Sequence, residues 1–267
     1  MDTNSNQARR VVIGITAHVD AGKTTLAEAM LYRTGQLRKL GRVDHGSAAM
    51  DSHLLERERG ITIFSSQAEL PIGNLEVTLL DTPGHVDFSA EMERTLSVLD
   101  YAILVISGAD GVQAHTRTLW RLLELYRIPT FLFVTKMDFG RCGRGQMMEH
   151  LRHELGEGCV DFTPADRERR MEQLATCRED ALEAYLDGGE VPDALVRQLV
   201  GRRLVFPCWF GSGLKLEGID EFLEGLARYV EPPAYPAAFS ARVFKISHDP
   251  QGKRLTHLKV TGGTLRA

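Results

Sequence analysis

Residues 17–24, with the sequence AHVDAGKT, combine the groups that proteins use to bind phosphate. A phosphate-binding loop needs successive main-chain N–H groups at the start of a helix, a lysine for the β- and γ-phosphates and a hydroxyl for Mg²⁺. Gly22, Lys23 and Thr24 supply these groups, although Ala17 stands where the general pattern has its first glycine. The alternative is an ordinary turn with a solvated lysine. The apolar strand before the loop and the helix after it favour phosphate binding.

Two further polar segments directly follow apolar strands. Residues 81–85 (DTPGH) end one strand and residues 135–138 (TKMD) close another. Ligands of α/β sheets bind at the carboxyl ends of strands, which favours Asp81 as a group that orients a metal and its waters. Asp138 can accept hydrogen bonds from the N1–H and 2-amino groups of guanine, and adenine lacks this donor pair. Taken alone, each aspartate would more simply be a turn or capping residue.

Three weaker signals belong to the same set. Thr62, in the segment RGITI, ends a long aperiodic stretch and could donate its hydroxyl to the metal. A loop that γ-phosphate and Mg²⁺ order is expected to be poorly ordered without nucleotide, which applies to residues 36–60. His85 could orient a hydrolytic water, although a lone histidine more often packs or lies on the surface. Residues 211–213 (GSG) form a tight turn whose N–H groups could meet a base.

The elements that must position these residues alternate between strand and helix patterns. Strands are predicted over residues 11–16, 61–70, 75–80, 101–107, 130–135 and 204–210, and helices over residues 24–32, 88–99, 115–126 and 217–230. This alternation predicts an α/β fold with a mostly parallel sheet flanked by helices. From about residue 140 to 201 the strand pattern lapses. A charged helix over residues 167–186 and a shorter one over residues 192–200 predict a helical insertion there.

The chain divides into four predicted parts. Residues 1–10 form a polar, flexible tail, and residues 11–230 form the α/β domain that contains the insertion. Residues 231–236 carry three prolines and are predicted to form a linker, because proline cannot continue a helix. Residues 237–267 hold two strand patterns around a turn. Two strands are marginally stable alone, so we expect them to begin a truncated β-barrel domain.

Composition excludes several classes of protein. The chain of 267 residues has 32 Lys and Arg against 36 Asp and Glu, a formal net charge of −4, which disfavours a general nucleic-acid coat. The hydrophobic fraction of 43% allows a sizeable core. No apolar run approaches the roughly 18 residues of a membrane span, and the four widely spaced cysteines suggest reduced thiols. Two His-x-Asp pairs lack a third ligand at suitable spacing, which argues against a transition-metal site. We expect a soluble, cytoplasmic chain.

With these five segments in order, the chain resembles a translational GTPase of the elongation factor G superfamily. Residues 56–63 (ERERGITI) and 81–85 are highly specific to that family, in which Ala17 is an accepted variant. Within it, residues 97–104 (SVLDYAIL) and 110–114 (DGVQA) are most similar to tetracycline-resistance ribosomal protection proteins. The resemblance implies a P-loop GTPase that hydrolyses GTP to GDP and phosphate, slowly without ribosomes. Its partner would be the ribosome, through the full-length parent, and the isolated domain would be monomeric.

The resemblance also implies roles for individual residues. His85 would position the attacking water, held back at rest by an apolar gate of Val19 and Ile61, and Asp20 would help hold a monovalent cation. The cofactors would be GTP or GDP and Mg²⁺, with the metal held by Thr24 and Thr62 directly and by Asp81 through water. The nucleotide-binding residues would be His18, Val19, Asp20, Ala21, Gly22, Lys23, Thr24, Thr25, Gly84, Thr135, Lys136, Asp138, Ser212 and Gly213.

The chain departs from the family pattern at two places. Thr135 stands where the family usually has Asn, which predicts a weaker contact to guanine N7 and to the phosphate loop. Gly213 and Leu214 stand where the family tends to have Ala and Lys, so guanine specificity should depend mainly on Asp138. Two alternatives stay open for the function. One is elongation factor G or another translational GTPase, and the other is a GTP-regulated binding module with negligible hydrolysis.

Overall fold

A computed structural model of the chain describes residues 9–38, 66–82, 89–139, 142–163, 167–249 and 251–266. Its strands are β1 Arg9–Ala17, β2 Ser66–Ile72, β3 Leu75–Asp81, β4 Tyr101–Ser107, β5 Thr130–Thr135, β6 Cys159–Asp161, β7 Phe206–Phe210, β8 Ser240–His248 and β9 Arg254–Gly262. Its helices are α1 Lys23–Arg33, α2 Ser89–Leu96, α3 Ala114–Leu125, α4 Arg144–Leu155, α5 Arg167–Thr176, α6 Glu179–Gly188, α7 Asp193–Gly201 and α8 Ile219–Tyr229.

Seven strands form one sheet in the order β2-β3-β1-β4-β5-β7-β6. Only the β2–β3 pair is antiparallel, and every other pairing is parallel. This confirms the predicted mostly parallel α/β sheet. Because β1, β3, β4, β5, β6 and β7 run in the same direction, their carboxyl ends lie along one edge. That edge carries the polar segments singled out in the sequence.

The central strands are buried on both faces of the sheet. Successive residues of β4 alternate between two apolar clusters: Ile103 packs in one cluster and Leu104 in the other. In β5, Phe133 and Val134 divide in the same way. Strands with two covered faces read as continuous apolar runs, which explains why β4 and β5 were predicted with their observed bounds. The double burial holds the carboxyl ends of these strands in fixed positions.

The predicted helical insertion also contributes a short strand to the sheet, which the sequence did not indicate. Strand β6 pairs in parallel with β7 at the sheet edge, and its three residues are too short to show an alternating pattern. The single helix expected over residues 167–186 is two helices, α5 and α6. Arg178 interrupts it with an extended backbone (φ −165°, ψ 154°), and acidic Glu179 and Asp180 begin α6 favourably. Helix α4 was not predicted.

One glycine inside α8 is explained by a close packing contact. A Cβ added to Gly225 would lie 2.2 Å from Cζ2 of the buried Trp209. We expect Gly225→Ala to lower the free energy of unfolding by about 1–3 kcal/mol, because the indole ring has to shift in a packed core. Chemical denaturation measures this. Gly145→Ala in α4 is the control, since its Cβ would meet nothing within 4 Å, and equal losses in both variants would contradict the packing explanation.

The β8–β9 hairpin is joined to the sheet through Asp100. The Oδ2 atom of Asp100 accepts from the N–H of Val12 at 2.8 Å, while Oδ1 accepts from Lys259 Nζ at 2.5 Å and the Tyr235 hydroxyl at 2.9 Å. Burial lowers the pKa of Lys259 and raises that of Tyr235. Arg242 adds a hydrogen bond of 2.7 Å to the Ser97 carbonyl.

In the part of the chain that the structure describes, no helix is long and apolar enough to cross a bilayer.

Candidate functional site

The turn between β1 and α1 has a main-chain conformation suited to anions. The backbone is left-handed at Asp20 and Gly22, where φ is 60° and 90°. A non-glycine residue in this region is uncommon and is found at functional turns. The N–H of Ala21 donates to the carbonyl of His18 over 3.1 Å, which closes the turn. Gly22 has no side chain to cap the first N–H groups of α1, so the helix N-terminus can accept an anion.

Two opposite charges meet below this turn. Lys23 begins α1, and its Nζ forms a short ion pair with Oδ1 of Asp81 at the end of β3. The two side chains are only 9% and 0% exposed. Burying a charge is costly without a partner, so each of these groups stabilises the other in the interior. A lysine for phosphate and a carboxylate for a cation are thus already placed within one ion-pair distance.

The donor set at this point fits magnesium. Thr24 lies in the first turn of α1, next to Lys23, and carries a hydroxyl at the end of the helix where Lys23 binds Asp81. Magnesium usually takes one or two protein oxygens and completes its shell with phosphate oxygens and water. Within the described ranges, no three His, Cys, Asp or Glu side chains are grouped as a metal site would need. The Thr24 hydroxyl and the Asp81 carboxylate are the oxygens that would be available to a metal at this point.

The end of β5 is fastened to the phosphate-loop turn. The buried hydroxyl of Thr135 donates to the Ala21 carbonyl at 2.5 Å and also lies 3.2 Å from the carbonyl oxygen of Ile106. The N–H of Gly108 donates to the Thr135 carbonyl at 2.7 Å. The sequence predicts that Thr135 contacts the phosphate loop more weakly than Asn would, and its hydroxyl does contact this loop at Ala21. Lys136 follows with a left-handed backbone, φ 56°, and starts the exposed turn that holds Asp138.

Asp138 has a cationic partner from another loop. Its Oδ2 lies 3.0 Å from Nζ of Lys215, in the loop after β7. The Lys215 ammonium lowers the pKa of the Asp138 carboxyl; partial burial opposes the shift and the Ser212 hydroxyl supports it. The same contact raises the pKa of Lys215. Asp138 is therefore held as a carboxylate, the form that can accept two hydrogen bonds from a base.

The loop after β7 packs against helix α1. Ser212 and Glu217 exchange two main-chain hydrogen bonds of 3.1 and 3.0 Å, which close the loop. The N–H of Gly211 donates to the Val134 carbonyl at 2.9 Å and ties the loop to β5. A Cβ on Gly213 would lie 3.2 Å from the Thr25 carbonyl, so the absence of a side chain permits this close approach. Three loops thereby meet at one edge of the sheet.

The structure brings most of the predicted residues together at this edge. Half-buried His18 and Val19 and exposed Asp20 precede the loop residues already described, and Thr25 follows them in α1. Leu214, at the position expected to hold the family's lysine, is 54% exposed. The predictions for Ile61, Thr62, Gly84 and His85 lie outside the described residues, and so does the predicted weak order of residues 36–60 from residue 39 onward.

Lys215 is the site residue that sequence reasoning missed. The family pattern placed a lysine at position 214, and the leucine there suggested that its contribution was absent. The structure shows that a lysine one residue later, Lys215, reaches Asp138. A lysine immediately after a departure from a motif is the signal that could have identified it.

The ion pair predicts how guanine-nucleotide binding depends on pH. Binding through Asp138 needs its carboxylate, so affinity should be constant above the ordinary aspartate range and fall as pH drops through the lowered pKa. Lys215→Met removes the cation that lowers this pKa, and we expect its affinity for GDP to fall at a higher pH. Fluorescence titration of GDP across pH measures both curves. Lys215→Arg should keep the original profile, and superimposable curves for all three proteins would contradict the role of Lys215.

The chain is similar to proteins whose names concern tetracycline resistance. The oxytetracycline resistance protein of Streptomyces rimosus is 39% identical over 95% of this chain and 42% of its own length. The tetracycline resistance protein TetM of Enterococcus faecalis is 36% identical and TetO of Campylobacter jejuni is 33% identical, with the same coverage. The chain thus spans less than half the length of these relatives.

The chain also matches a solved structure and the profile of a protein family. A crystal structure of a Thermus thermophilus protein superposes with a TM-score of 0.85 at 28% identity, covering 96% of this chain and 46% of that one. The profile of the elongation factor Tu GTP-binding domain matches residues 8–232, which include the phosphate-loop turn, Asp81, Asp138 and the loop after β7. The chain therefore belongs to the family of elongation factor Tu GTP-binding domains, as the resemblance in its sequence predicts.

Proposed function

We propose that this chain is the GTP-hydrolysing domain of a ribosome-associated protein that protects ribosomes from tetracycline. The observation that carries the proposal is the meeting of two charged pairs at one sheet edge, Lys23 with Asp81 and Asp138 with Lys215. One pair has the chemistry for phosphate and a metal, and the other has the chemistry for guanine. Family membership supports guanine-nucleotide binding and GTP hydrolysis as the common activity.

The phosphates would occupy the turn before α1. Main-chain N–H groups of residues 18–25 would bind the α- and β-phosphate oxygens, and Lys23 would turn from Asp81 toward the β- and γ-phosphates. Thr24 and, from the resemblance, Thr62 would hold Mg²⁺ directly and Asp81 would hold it through water, and the metal when bound neutralises charge on the phosphate oxygens. The N–H of Gly84 would contact the γ-phosphate. Without nucleotide, Lys23 offsets the charge of the buried Asp81 carboxylate.

The base would be read at the loops after β5 and β7. Asp138 accepts from N1–H and the 2-amino group of guanine, with Lys136 along the base and the N–H groups of Ser212 and Gly213 near its edge. Thr135 keeps this segment in contact with Ala21 of the phosphate loop, so base binding and phosphate binding share one rigid support. Adenine presents no donor pair and would leave the Asp138 carboxylate without its partners.

The reaction is attack of water on the γ-phosphate, which releases GDP and phosphate. His85 would position that water, behind the gate of Val19 and Ile61, and Asp20 would help hold a monovalent cation. No sequence motif in the chain places an arginine at the transferring phosphate, so we expect slow hydrolysis until a partner completes the site. A cytoplasmic, monomeric domain that responds to ribosomes through the rest of its protein follows from this interpretation. The names of the relatives support the protective role.

The proposal is tested with the full-length parent, ribosomes carrying labelled tetracycline, and GTP. Faster drug release than with elongation factor G, together with ribosome-stimulated hydrolysis, supports it. Stimulated hydrolysis without faster release would assign the chain to the elongation-factor group. His85→Ala should lose stimulated turnover and keep GTP affinity. A protein that binds GTP but never hydrolyses it would be a regulated binding module.

A further inference from the structure

A polar cavity lies in the insertion, between α4, the end of β6 and α5. Its volume is about 110 Å³, and none of the residues assigned above to the nucleotide lines it. About 10–15 Å³ of such a volume already holds one water molecule, so the cavity has room for a tetrahedral oxyanion. Its polar lining includes four arginines, one threonine and one glutamine: Arg144, Arg152, Arg169, Arg170, Thr163 and Gln173.

The charge of this lining is strongly positive in a chain whose net charge is −4. In the described part of the chain, Asp161 is the single carboxylate that lines the cavity, and Arg144 binds it at 3.1 Å. Arg152 donates to the Cys159 carbonyl at 3.1 Å, and Arg170 donates to the Phe162 carbonyl at 3.3 Å. Among the described residues, neither Arg152 nor Arg170 forms an ion pair. Their positive charges are therefore held close together by neutral partners.

Three buried polar atoms of the lining lack hydrogen-bond partners in the described structure. They are Nε of Arg170, Oγ1 of Thr163 and Oε1 of Gln173. Buried polar groups are nearly always paired, so these three atoms favour a polar ligand, which their side chains would reach by a small rotation out of their sealed positions. Arg170 Nε is a donor and the threonine hydroxyl can be one. A half-turn of the Gln173 amide would present a third donor, because its oxygen and nitrogen are interchangeable by rotation.

We propose that this cavity is an anion site that binds one phosphate group. Guanidinium groups match the oxygens of phosphate with paired, charge-assisted hydrogen bonds, and the threonine hydroxyl adds a further donor. A dianion would offset the unpaired charges of Arg152 and Arg170. The phosphate could come free from solution or from the backbone of RNA, since both present the same oxygens. This inference is independent of the proposed GTP site, which uses other residues.

Titration of the 267-residue chain with inorganic phosphate tests the site, with the arginine Nε–H signals followed by NMR. We expect saturable shifts of Arg170 and Arg152 that chloride at the same ionic strength does not cause. The main-chain signals of Gly22 and Lys23 report phosphate at the nucleotide site in the same titration. Failure of one site is thereby distinguished from failure of the other. No saturable shift at Arg170 and Arg152 would overturn the proposal.

Three variants distinguish specific binding of phosphate in the cavity from nonspecific attraction of an anion to positive charge. Arg170→Gln should weaken phosphate binding about tenfold or more, read from the Arg152 signal, because a charged donor is lost. Thr163→Val keeps the shape of the side chain and should weaken binding about threefold to tenfold. Arg178→Gln is the control, since Arg178 lies at the surface of the same insertion and pairs with Asp180 at 3.1 Å. An equal loss in Arg178→Gln and Arg170→Gln would overturn the site.

A short RNA hairpin distinguishes the two sources of phosphate. Shifts of the same Arg170 and Arg152 signals by RNA, competed by inorganic phosphate and weakened by salt, would support a backbone phosphate as the ligand. Saturation by inorganic phosphate with no effect of RNA would support a free anion. Either result supports the anion site, and it would be contradicted if neither RNA nor inorganic phosphate shifted these signals.

Discussion

Replacing Asp138 by asparagine is expected to weaken GDP binding by about 10²–10⁴-fold, because one of its two hydrogen bonds to guanine is lost and the other loses its charged acceptor. The amide oxygen still accepts from N1–H of guanine. Its NH₂ group, however, faces the 2-amino group of the base, and two donors cannot bind each other. Calorimetric titration of the variant with GDP measures the loss, and unchanged affinity would mean that the base does not reach Asp138.

The same variant should also gain affinity for a different base, xanthine, and a misfolded protein would not show this gain. Xanthine has a carbonyl where guanine has the 2-amino group, so the new amide can donate to it while still accepting from N1–H. Xanthosine diphosphate should therefore bind Asp138→Asn more tightly than GDP does, with the order reversed in the unchanged protein. ADP is the control and should bind both proteins weakly. If Asp138→Asn bound xanthosine diphosphate and GDP with equal affinity, this mode of base recognition would be contradicted.

Replacing Lys23 by methionine is expected to reduce both nucleotide affinity and stability. The phosphates lose their ammonium partner, and affinity for GTP should fall by at least about tenfold to a hundredfold. The fully buried Asp81 loses its ion-pair partner as well, and breaking a buried pair typically costs about 3–5 kcal/mol. Urea denaturation of the nucleotide-free protein measures the second effect separately from the first.

A second change separates the two effects of Lys23. Adding Asp81→Asn to Lys23→Met removes the buried charge that has lost its Lys23 ammonium, with little change of shape, so most of the stability should return. GTP affinity should stay low, because the phosphates still have no lysine. A Lys23→Met protein as stable as the original would contradict the buried ion pair. Recovered GTP affinity in the double variant would contradict the phosphate role of Lys23.

The parts of the site that are continuous in sequence were predictable. The phosphate loop carries its groups on consecutive residues, and Asp81 and Thr135 each end an apolar strand whose pattern is unmistakable. The doubly covered strands of the sheet were predictable for the same reason. These features depend on local order along the chain, which a sequence displays directly.

The features that were missed depend on contacts between distant parts of the chain. Lys215 reaches Asp138 from the loop after β7, and no local sequence pattern indicates this contact. Thr135 replaces the expected Asn, and only the packing of the two loops shows that its hydroxyl reaches Ala21. Strand β6 has three residues and forms because β7 provides an edge to pair with. Tertiary context supplies all three.

The strand order has a consequence for how the protein is made. Strand β1 emerges first during synthesis, yet it pairs with β3 and β4, which emerge later, and Lys215 comes later still. The nucleotide site therefore stays incomplete until the ribosome has synthesised the chain past Lys215. The pairings are non-local, and such topologies fold slowly because long loops must close first. GTP can therefore stabilise the finished domain but cannot guide its earliest folding steps.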